Sequence, residues 1–361
     1  MSRTVASILN RDDVSVTADP RQHIMHFSRH GSPQDVVSFI ESCLPSYQRP
    51  VWRDYRARWN QADDMKTLYD FPLEVNLELT DNCNLACAHC YQVTRTIPRK
   101  KVIRLPLYKK IVDECGERGL GSLVLGSTDE ALLHTDIVPM VAYAVEKRIP
   151  DVWLFTNGTL MTRDQAKTFV ALKPTRISIS IDAHNPETYQ KIRGGALADV
   201  HRAIEYLLKE RESQGNLLPI IRLTFIRQPG VNLEEIEPFI AYWGKRVDQI
   251  DFQTLWDPTW VESLPHEFTV ERFNCAQPWK QIMLLANGDI LPCCSEYGRH
   301  MILGNVQLMH IQEAWYSEKM EDVRKSLTTH EYKRACINCM GHRPKFERAS
   351  KVVINDDTTA S

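Results

Sequence analysis

Cys83, Cys87 and Cys90 form a C-x3-C-x2-C run directly after an alternating apolar stretch, Leu73-Glu-Val-Asn-Leu-Glu-Leu79. Three thiolates can hold three irons of a [4Fe–4S] cluster and leave the fourth open to another ligand. An open iron can do chemistry where a saturated cluster mainly carries electrons. Short Cys and His spacings also suit zinc, and His89 offers a fourth ligand. Structural zinc sites usually come as two spaced ligand pairs, whereas residues 80–92 read as one loop at a strand end, which favours the cluster.

A second group of cysteines lies far downstream: Cys275, Cys293, Cys294, Cys336 and Cys339. Asn287-Gly288 between two apolar runs predicts a tight type I′ hairpin that draws Cys275 towards Cys293. A helical stretch over 310–328 then returns the chain to Cys336-Ile-Asn-Cys339. Four cysteines meeting at one point saturate either an iron–sulfur cluster or a zinc ion, and spacing alone leaves both open. Cys294 is the odd residue: a buried thiol, an alternative ligand beside Cys293, or a hydrogen-atom donor that quenches a carbon radical. Cys43 and Cys115 stand alone, and Cys115 falls in a helical pattern as a small buried hydrophobe.

These residues need elements to carry them. The chain has 361 residues and a formal net charge of −2, room for one large α/β domain and a smaller module. No basic field points to nucleic acid or an anionic membrane. No apolar run approaches a membrane span, and the N-terminus lacks a signal-peptide core. The expected location is the cytoplasm, where ten cysteines argue for metal ligation over disulfides.

After Phe71, short apolar runs alternate with amphipathic stretches. Strands are predicted at 73–79, 122–126, 151–155, 176–181, 219–226 and 248–253, and helices near 106–118, 134–147, 162–171, 197–213 and 232–244. Strand–helix alternation with right-handed crossovers implies a parallel sheet. Reactive groups in such barrels sit at the C-terminal strand ends. Strand one runs into the cysteine loop, strand two into Gly126-Ser-Thr-Asp129-Glu130, strand three into Thr156-Asn157-Gly158, and strand four into Ser180-Ile-Asp182. Upstream, Asp12–Phe27 alternates like strand, and Ser32–Leu44 reads as a helix with Ser32 as cap and Pro33 in its first turn. Residues 1–71 read as a lead-in packing on the barrel, with a peptide-binding wing as the alternative, and 346–361 as a frayed tail.

The cysteine triplet, the strand before it and Tyr91 after it resemble the radical S-adenosylmethionine (radical SAM) superfamily. The resemblance implies a partial (β/α)6 TIM-like barrel over residues 72–262, with S-adenosyl-L-methionine (SAM) on the open iron of the Cys83/Cys87/Cys90 cluster. The family's Gly-Gly-Glu-Pro is replaced here by Gly126-Ser-Thr-Asp129-Glu130-Ala, which leaves Asp129 or Glu130 to take the SAM amino group. Asn157 resembles the ribose-contacting strand end and Ser180 the contact to the SAM carboxylate. Asp182 and Tyr91 complete the implied cofactor set with Arg222, which grips the same carboxylate. Ile192-Arg193-Gly194-Gly195 matches a stretch common in the family but has no evident chemical task.

Residues 263–345, with Cys275-Ala-Gln-Pro-Trp279, Gly288-x4-Cys293, Glu313-Ala-Trp315 and the closing C-x2-C, resemble the SPASM/twitch extension. The resemblance implies one auxiliary [4Fe–4S] cluster on Cys275, Cys293, Cys336 and Cys339. It further implies an oxidoreductase or isomerase, reduced by flavodoxin or ferredoxin. Its radical removes a hydrogen atom from a small polar metabolite, a natural-product sugar or aminocyclitol, ending in epimerisation or dehydrogenation. A peptide-modifying maturase and a non-catalytic electron relay are the alternatives.

Overall fold

The structure is a computed structural model and describes residues 15–19, 24–90, 92, 101–255 and 272–341. Tyr91 and the tail 346–361 lie outside those residues. The N-terminal segment forms a hairpin, β1 (Ser15–Asp19) and β2 (Ile24–Ser28), then helices α1 (Pro33–Cys43) and α2 (Arg49–Gln61). The expected cap is present: Ser32 Oγ accepts from Asp35 N at 3.3 Å, and Asp35 accepts from Ser32 N in return.

Six strands then make the core of the sheet: β3 (Glu74–Leu77), β4 (Ser122–Leu125), β5 (Asp151–Thr156), β6 (Arg176–Ser180), β7 (Ile220–Arg227) and β8 (Gln249–Thr254). They pair in parallel and in chain order. β8 does not pair with β3 among the described residues, so the barrel is open, and each free edge is covered by a hairpin. β2 runs antiparallel to β8 on one side. On the other, β9 (Gln281–Leu284) runs parallel to β3, followed by β10 (Asp289–Leu291) and β11 (Gly304–Asn305).

Period-2 alternation divides the strand residues between two faces. Val75, Leu77, Leu123, Leu154, Ile177, Leu223, Phe225 and Ile250 pack outward into one core with Ile111, Met140, Phe169, Ile204 and Phe239 of the surrounding helices. A fully buried Leu, Ile or Phe contributes about 1.5–3 kcal/mol. This outer layer therefore carries the stability, and the inner face is free for the polar side chains Asn76, Ser178, Arg222 and Asp251.

Helix α2 closes the N-terminal end of the barrel with Trp52 and Tyr55, both buried. A Cβ on Gly121, just before β4, would lie 2.1 Å from Tyr55 Cδ2, so glycine is what lets the ring approach. The hairpin side is fixed by Asp248. Its carboxylate takes Arg29, Arg211, His30 Nε2 at 3.0 Å and Ile221 N at 2.9 Å. Burial opposes its charge, but His30, Arg211 and Arg29 outweigh that and hold the carboxyl below its usual value. A depressed folded value means the contribution is present above the ordinary aspartate range and is lost as pH falls through the folded value. Asp248→Asn is expected to cost about 3–5 kcal/mol at neutral pH, the range for breaking a buried charge pair. It should also flatten the acid limb of stability against pH in urea melts.

Two sequence expectations are corrected. The 310–328 helix is two helices, Ile311–Trp315 and Glu318–Thr328, because Ser317 Oγ accepts from Met320 N at 3.3 Å and starts a new one. The Asn287-Gly288 turn is not type I′, which needs φ above zero at both central residues. Only Gly288 (φ 91°) is left-handed, and Leu285 O accepts from Gly288 N at 2.8 Å. The result is a longer loop with a glycine bulge.

Candidate active site

The cysteine loop leaves strand β3 and packs beneath the segment 192–195. Ala88 N donates to Ile192 O at 2.9 Å, and a Cβ on Gly195 would come within 2.9 Å of Leu85 Cδ2. Arg193 Nη1 approaches Cys87 Sγ at 3.9 Å, and Asn157 Nδ2 approaches Cys83 Sγ at 3.8 Å. Burial pushes the thiols of Cys83 and Cys87 up, with neighbouring thiols adding to the rise and Arg193 and Asn157 opposing it. Cys87 lies within charge range of Cys83 and Cys90. Three thiols brought together with N–H donors on two of them suit a cationic cluster of irons better than three bare thiolates.

The altered strand-two loop sorts its two carboxylates. Both oxygens of Glu130 are occupied: Oε1 accepts from Thr156 Oγ1 (2.6 Å) and Leu132 N (3.0 Å), and Oε2 accepts from Asn157 N (2.6 Å). Glu130 is therefore a staple between strand ends two and three. Asp129 Oδ2 accepts from Leu79 N (3.2 Å) and Thr80 N (3.0 Å), while its Oδ1 is buried with no partner among the described residues. Burial, then the nearby Glu78 charge, raises the Asp129 carboxyl well above its usual value. An orphaned, desolvated carboxylate oxygen fits an incoming ammonium group, as the SAM amino group would be. Gly126 (φ 78°) is required beneath this loop, since a Cβ there would meet Ala131 Cβ at 2.6 Å and Phe155 O at 2.9 Å.

Asn157 and Ser180 come to the same strand-end rim. Asn157 Nδ2 donates to Asn84 Oδ1 at 2.9 Å, and Ser180 Oγ accepts from Thr224 Oγ1 at 3.2 Å. Asp182 is a brace behind that rim. Its Oδ1 accepts from Ile226 N (2.7 Å), and its Oδ2 pairs with Arg193 (Nη2, 2.5 Å) and lies 3.5 Å from His89 Nε2. Both ring nitrogens of His89 thus face protein side chains, since Nδ1 lies 3.3 Å from Gln228 Nε2. Arg222 departs from expectation. It is buried inside the barrel in an ion pair with Asp251, and its guanidinium stacks 4.8 Å from the Trp153 ring. A guanidinium committed to a buried carboxylate does not reach out to a second one at the rim.

The sequence reading missed three residues that the fold brings inward or against the cysteines. His26 on β2 faces Asp251, with Nδ1 2.7 Å from Oδ1. Arg193, set aside for want of a task, braces the cysteine loop. Glu78 ties the strand-two loop to the C-terminal module through Arg299. The periodicity of β3, which turns Glu74, Asn76 and Glu78 to one face, pointed to Glu78, and the Ile192–Gly195 stretch to Arg193, while no sequence signal marked His26.

The second group of cysteines meets at the opposite end of the first strand. Cys293 lies in charge range of Cys294, Cys339 and Cys275, and Cys336 of Cys275 and Cys339. Burial and those neighbours push the Cys336 thiol up to about 12. Cys294 is exposed as a residue, not buried, yet its sulfur accepts from Gln281 Nε2 at 3.1 Å. Gln281 Oε1 accepts from Asn76 Nδ2 (2.6 Å), which also donates to Glu74 Oε1 (3.0 Å). Gln281 pairs with Glu74 at the start of β3, and six residues of strand separate Glu74 from Thr80, roughly 20 Å. The barrel interior lies between the two groups.

Residues 77–242 match the Radical SAM superfamily, and residues 275–340 match the SPASM family, an iron-sulfur cluster-binding domain. The chain carries a radical SAM domain followed by a SPASM domain. With the SPASM match, the cofactors are SAM, the [4Fe–4S] cluster that binds it and an auxiliary [4Fe–4S] cluster, and zinc at the C-terminal cysteines is set aside. A probable GTP 3′,8-cyclase of Methanococcus maripaludis is 32% identical over 130 residues, 36% of this chain and 43% of that protein. The antilisterial bacteriocin subtilosin biosynthesis protein AlbA of Bacillus subtilis is 24% identical over 276 residues, 66% of this chain and 58% of that protein. The chain thus matches less than two thirds of either relative. Streptococcus suis SuiB bound to precursor peptide SuiA shares the fold at 15% identity and a TM-score of 0.54, over 77% of this chain and 71% of that one. Among the described residues, no helix is long and apolar enough to cross a membrane.

Proposed function

We propose that this radical SAM enzyme acts on a small, polar, hydroxylated metabolite held inside the barrel, and that the reaction ends in epimerisation with Cys294 as the hydrogen-atom donor. When bound, the cluster of Cys83, Cys87 and Cys90 and its SAM supply the 5′-deoxyadenosyl radical that takes the substrate hydrogen. Asp129 holds the amino group of SAM, Asn157 and Ser180 line the rim above it, and Asp182 and Arg193 keep the loop in register. The observation that carries the reading is the Cys294 sulfur, held by Gln281 at the floor of the barrel and so on the far side of any substrate from the rim. Its S–H bond breaks homolytically, the hydrogen atom forms the new C–H bond, and one electron and one proton from the flavodoxin or ferredoxin system and solvent restore the thiol.

The inner wall supports a polar guest. Ser180, Gln249 and His26 are only half-buried and stand beside Thr224, Arg222 and Asp251. His26 also supports a second reading, dehydrogenation: with Nδ1 on Asp251, its Nε2 is a ready acceptor for a hydroxyl proton. A peptide substrate draws support from the Bacillus subtilis relative, whose name places it in bacteriocin biosynthesis.

The test is anaerobic reconstitution with SAM and dithionite in D2O, with sugars, aminocyclitols and peptides as candidates. Substrate-dependent 5′-deoxyadenosine and an isomeric product carrying one solvent deuterium are expected, and Cys294→Ala should keep the 5′-deoxyadenosine while losing the deuterated isomer. A product two hydrogens lighter would replace epimerisation by dehydrogenation. No SAM cleavage with any reductant would make the chain an electron relay.

A further inference from the structure

The inner face of β3 and its continuation carries two buried carboxylates, Glu74 and Glu78, that neither the cluster nor the proposed substrate uses, and Glu78 is the one beside the strand-two loop. Glu78 is 1% exposed and joins four parts of the fold. Its Oε2 accepts from Thr128 Oγ1 of the strand-two loop at 2.9 Å and forms an ion pair with Arg299. Its Oε1 accepts from Ala286 N at 3.2 Å, in the hairpin loop of the C-terminal module, and its backbone N donates to Leu284 O at 2.9 Å. Arg299 lies in the short 3-10 turn Glu296–His300, five residues after Cys294. A cation of the auxiliary-cluster module is thus the counter-charge of a buried acid that holds the SAM-binding loop.

The loop replaces the family's Gly-Gly-Glu-Pro and is held at its two ends by hydrogen bonds from Gly126 N to Leu77 O at 3.0 Å and from Glu130 N to Asn82 O at 3.1 Å, with Gln92 Nε2 donating to Thr128 O between them. Thr128 is tied to Glu78, and the next residue, Asp129, spends one oxygen on Leu79 N and Thr80 N and keeps the other buried with no partner among the described residues, the oxygen assigned above to the SAM amino group. We propose that Arg299 is a positioning residue for SAM, acting through Glu78 and Thr128, so that the C-terminal module completes the SAM site and its integrity is coupled to SAM affinity. Coupling of this kind is reciprocal: a module that tightens SAM is itself stabilised by SAM.

The inference rests on SAM binding and not on the proposed substrate, so wild-type SAM affinity is the control that separates the two. Affinity for SAM is measured on the anaerobically reconstituted protein by calorimetry and by the change SAM makes in the electron paramagnetic resonance of the reduced cluster. Iron per chain is counted alongside. Arg299→Ala is expected to weaken SAM about tenfold or more, within the usual span of coupling energies, at wild-type iron content. Arg299→Lys should recover part of the loss, because the charge remains but the fork does not. Thr128→Val cuts the tie on the loop side, leaves the C-terminal module untouched, and should weaken SAM in the same direction. Affinities within twofold of wild type for both Arg299→Ala and Thr128→Val would overturn the proposal. So would a loss confined to Arg299→Ala and accompanied by missing auxiliary iron, since that pattern is damage to the module and not positioning.

Discussion

Cys87→Ala is expected to reduce 5′-deoxyadenosine formation to the level of a protein-free control and to remove about four irons per chain, while the C-terminal iron stays bound. Of the three strand-end thiols Cys87 is the buried one, braced by Arg193 and flanked by both of the others. A serine there would keep the shape but not the soft, anionic donor that iron prefers. Cys339→Ala is the matching control. It should lose the auxiliary iron and keep SAM cleavage at saturating SAM, because Cys339 belongs to the group at the far end of the strand and not to the strand-end ligands. Iron analysis and the resonance of the reduced protein read both outcomes. Retention of full iron in Cys87→Ala would remove this residue from the ligand set.

Arg193→Met carries the next largest effect. Its Nε donates to Asp182 Oδ2 at 2.8 Å inside the protein, and both side chains are buried. Removing the cation leaves Asp182 charged, with Ile226 N and His89 as its remaining neighbours among the described residues, which by precedent for buried pairs costs about 3–5 kcal/mol. The substitution also takes away a donor that offsets the burial of the Cys87 thiol, so cluster loading should fall together with stability. Urea midpoints and iron per chain measure the two effects. The double variant Arg193→Met with Asp182→Asn should regain part of the stability, because residues of one ion pair are not additive. If Arg193→Met unfolds within about 1 kcal/mol of wild type, less than a typical buried-pair loss, the brace is not energetically important.

The barrel was legible because its signals are local. Six alternating runs gave six parallel strands, and the helices between them fell where apolar spacing put them. Ser32 and Pro33 announced their helix. The cysteine groups were legible as well, since thiols at such short intervals read directly as metal ligands. What did not show was pairing across the fold. Nothing near Arg222 says that its partner is Asp251, and nothing near Glu130 says that both its oxygens are consumed by Thr156, Leu132 and Asn157. Asp129 and Glu130 are neighbours of the same type, and only the third dimension gives one a spare oxygen and the other none. The broken helix at Ser317 is a different kind of miss: the capping serine was visible, but the apolar period ran straight through it.

The two hairpins that cover the open edges of the barrel also set the order in which the molecule can be finished. Asn76 meets Gln281 across 205 residues of chain, and His26 meets Asp251 across 225. As a ribosome delivers the chain, the first barrel strand waits almost to the end for its neighbour β9, and the N-terminal hairpin waits for β8. Until then each presents bare backbone N–H and C=O groups, the surfaces on which partly made proteins aggregate. Contacts this distant also slow folding. A chain cut short before residue 281 would keep every helix crossover and every strand-end cysteine of the barrel. It would nonetheless carry an unpaired edge beside its cluster loop, so insolubility on truncation is built into the strand order.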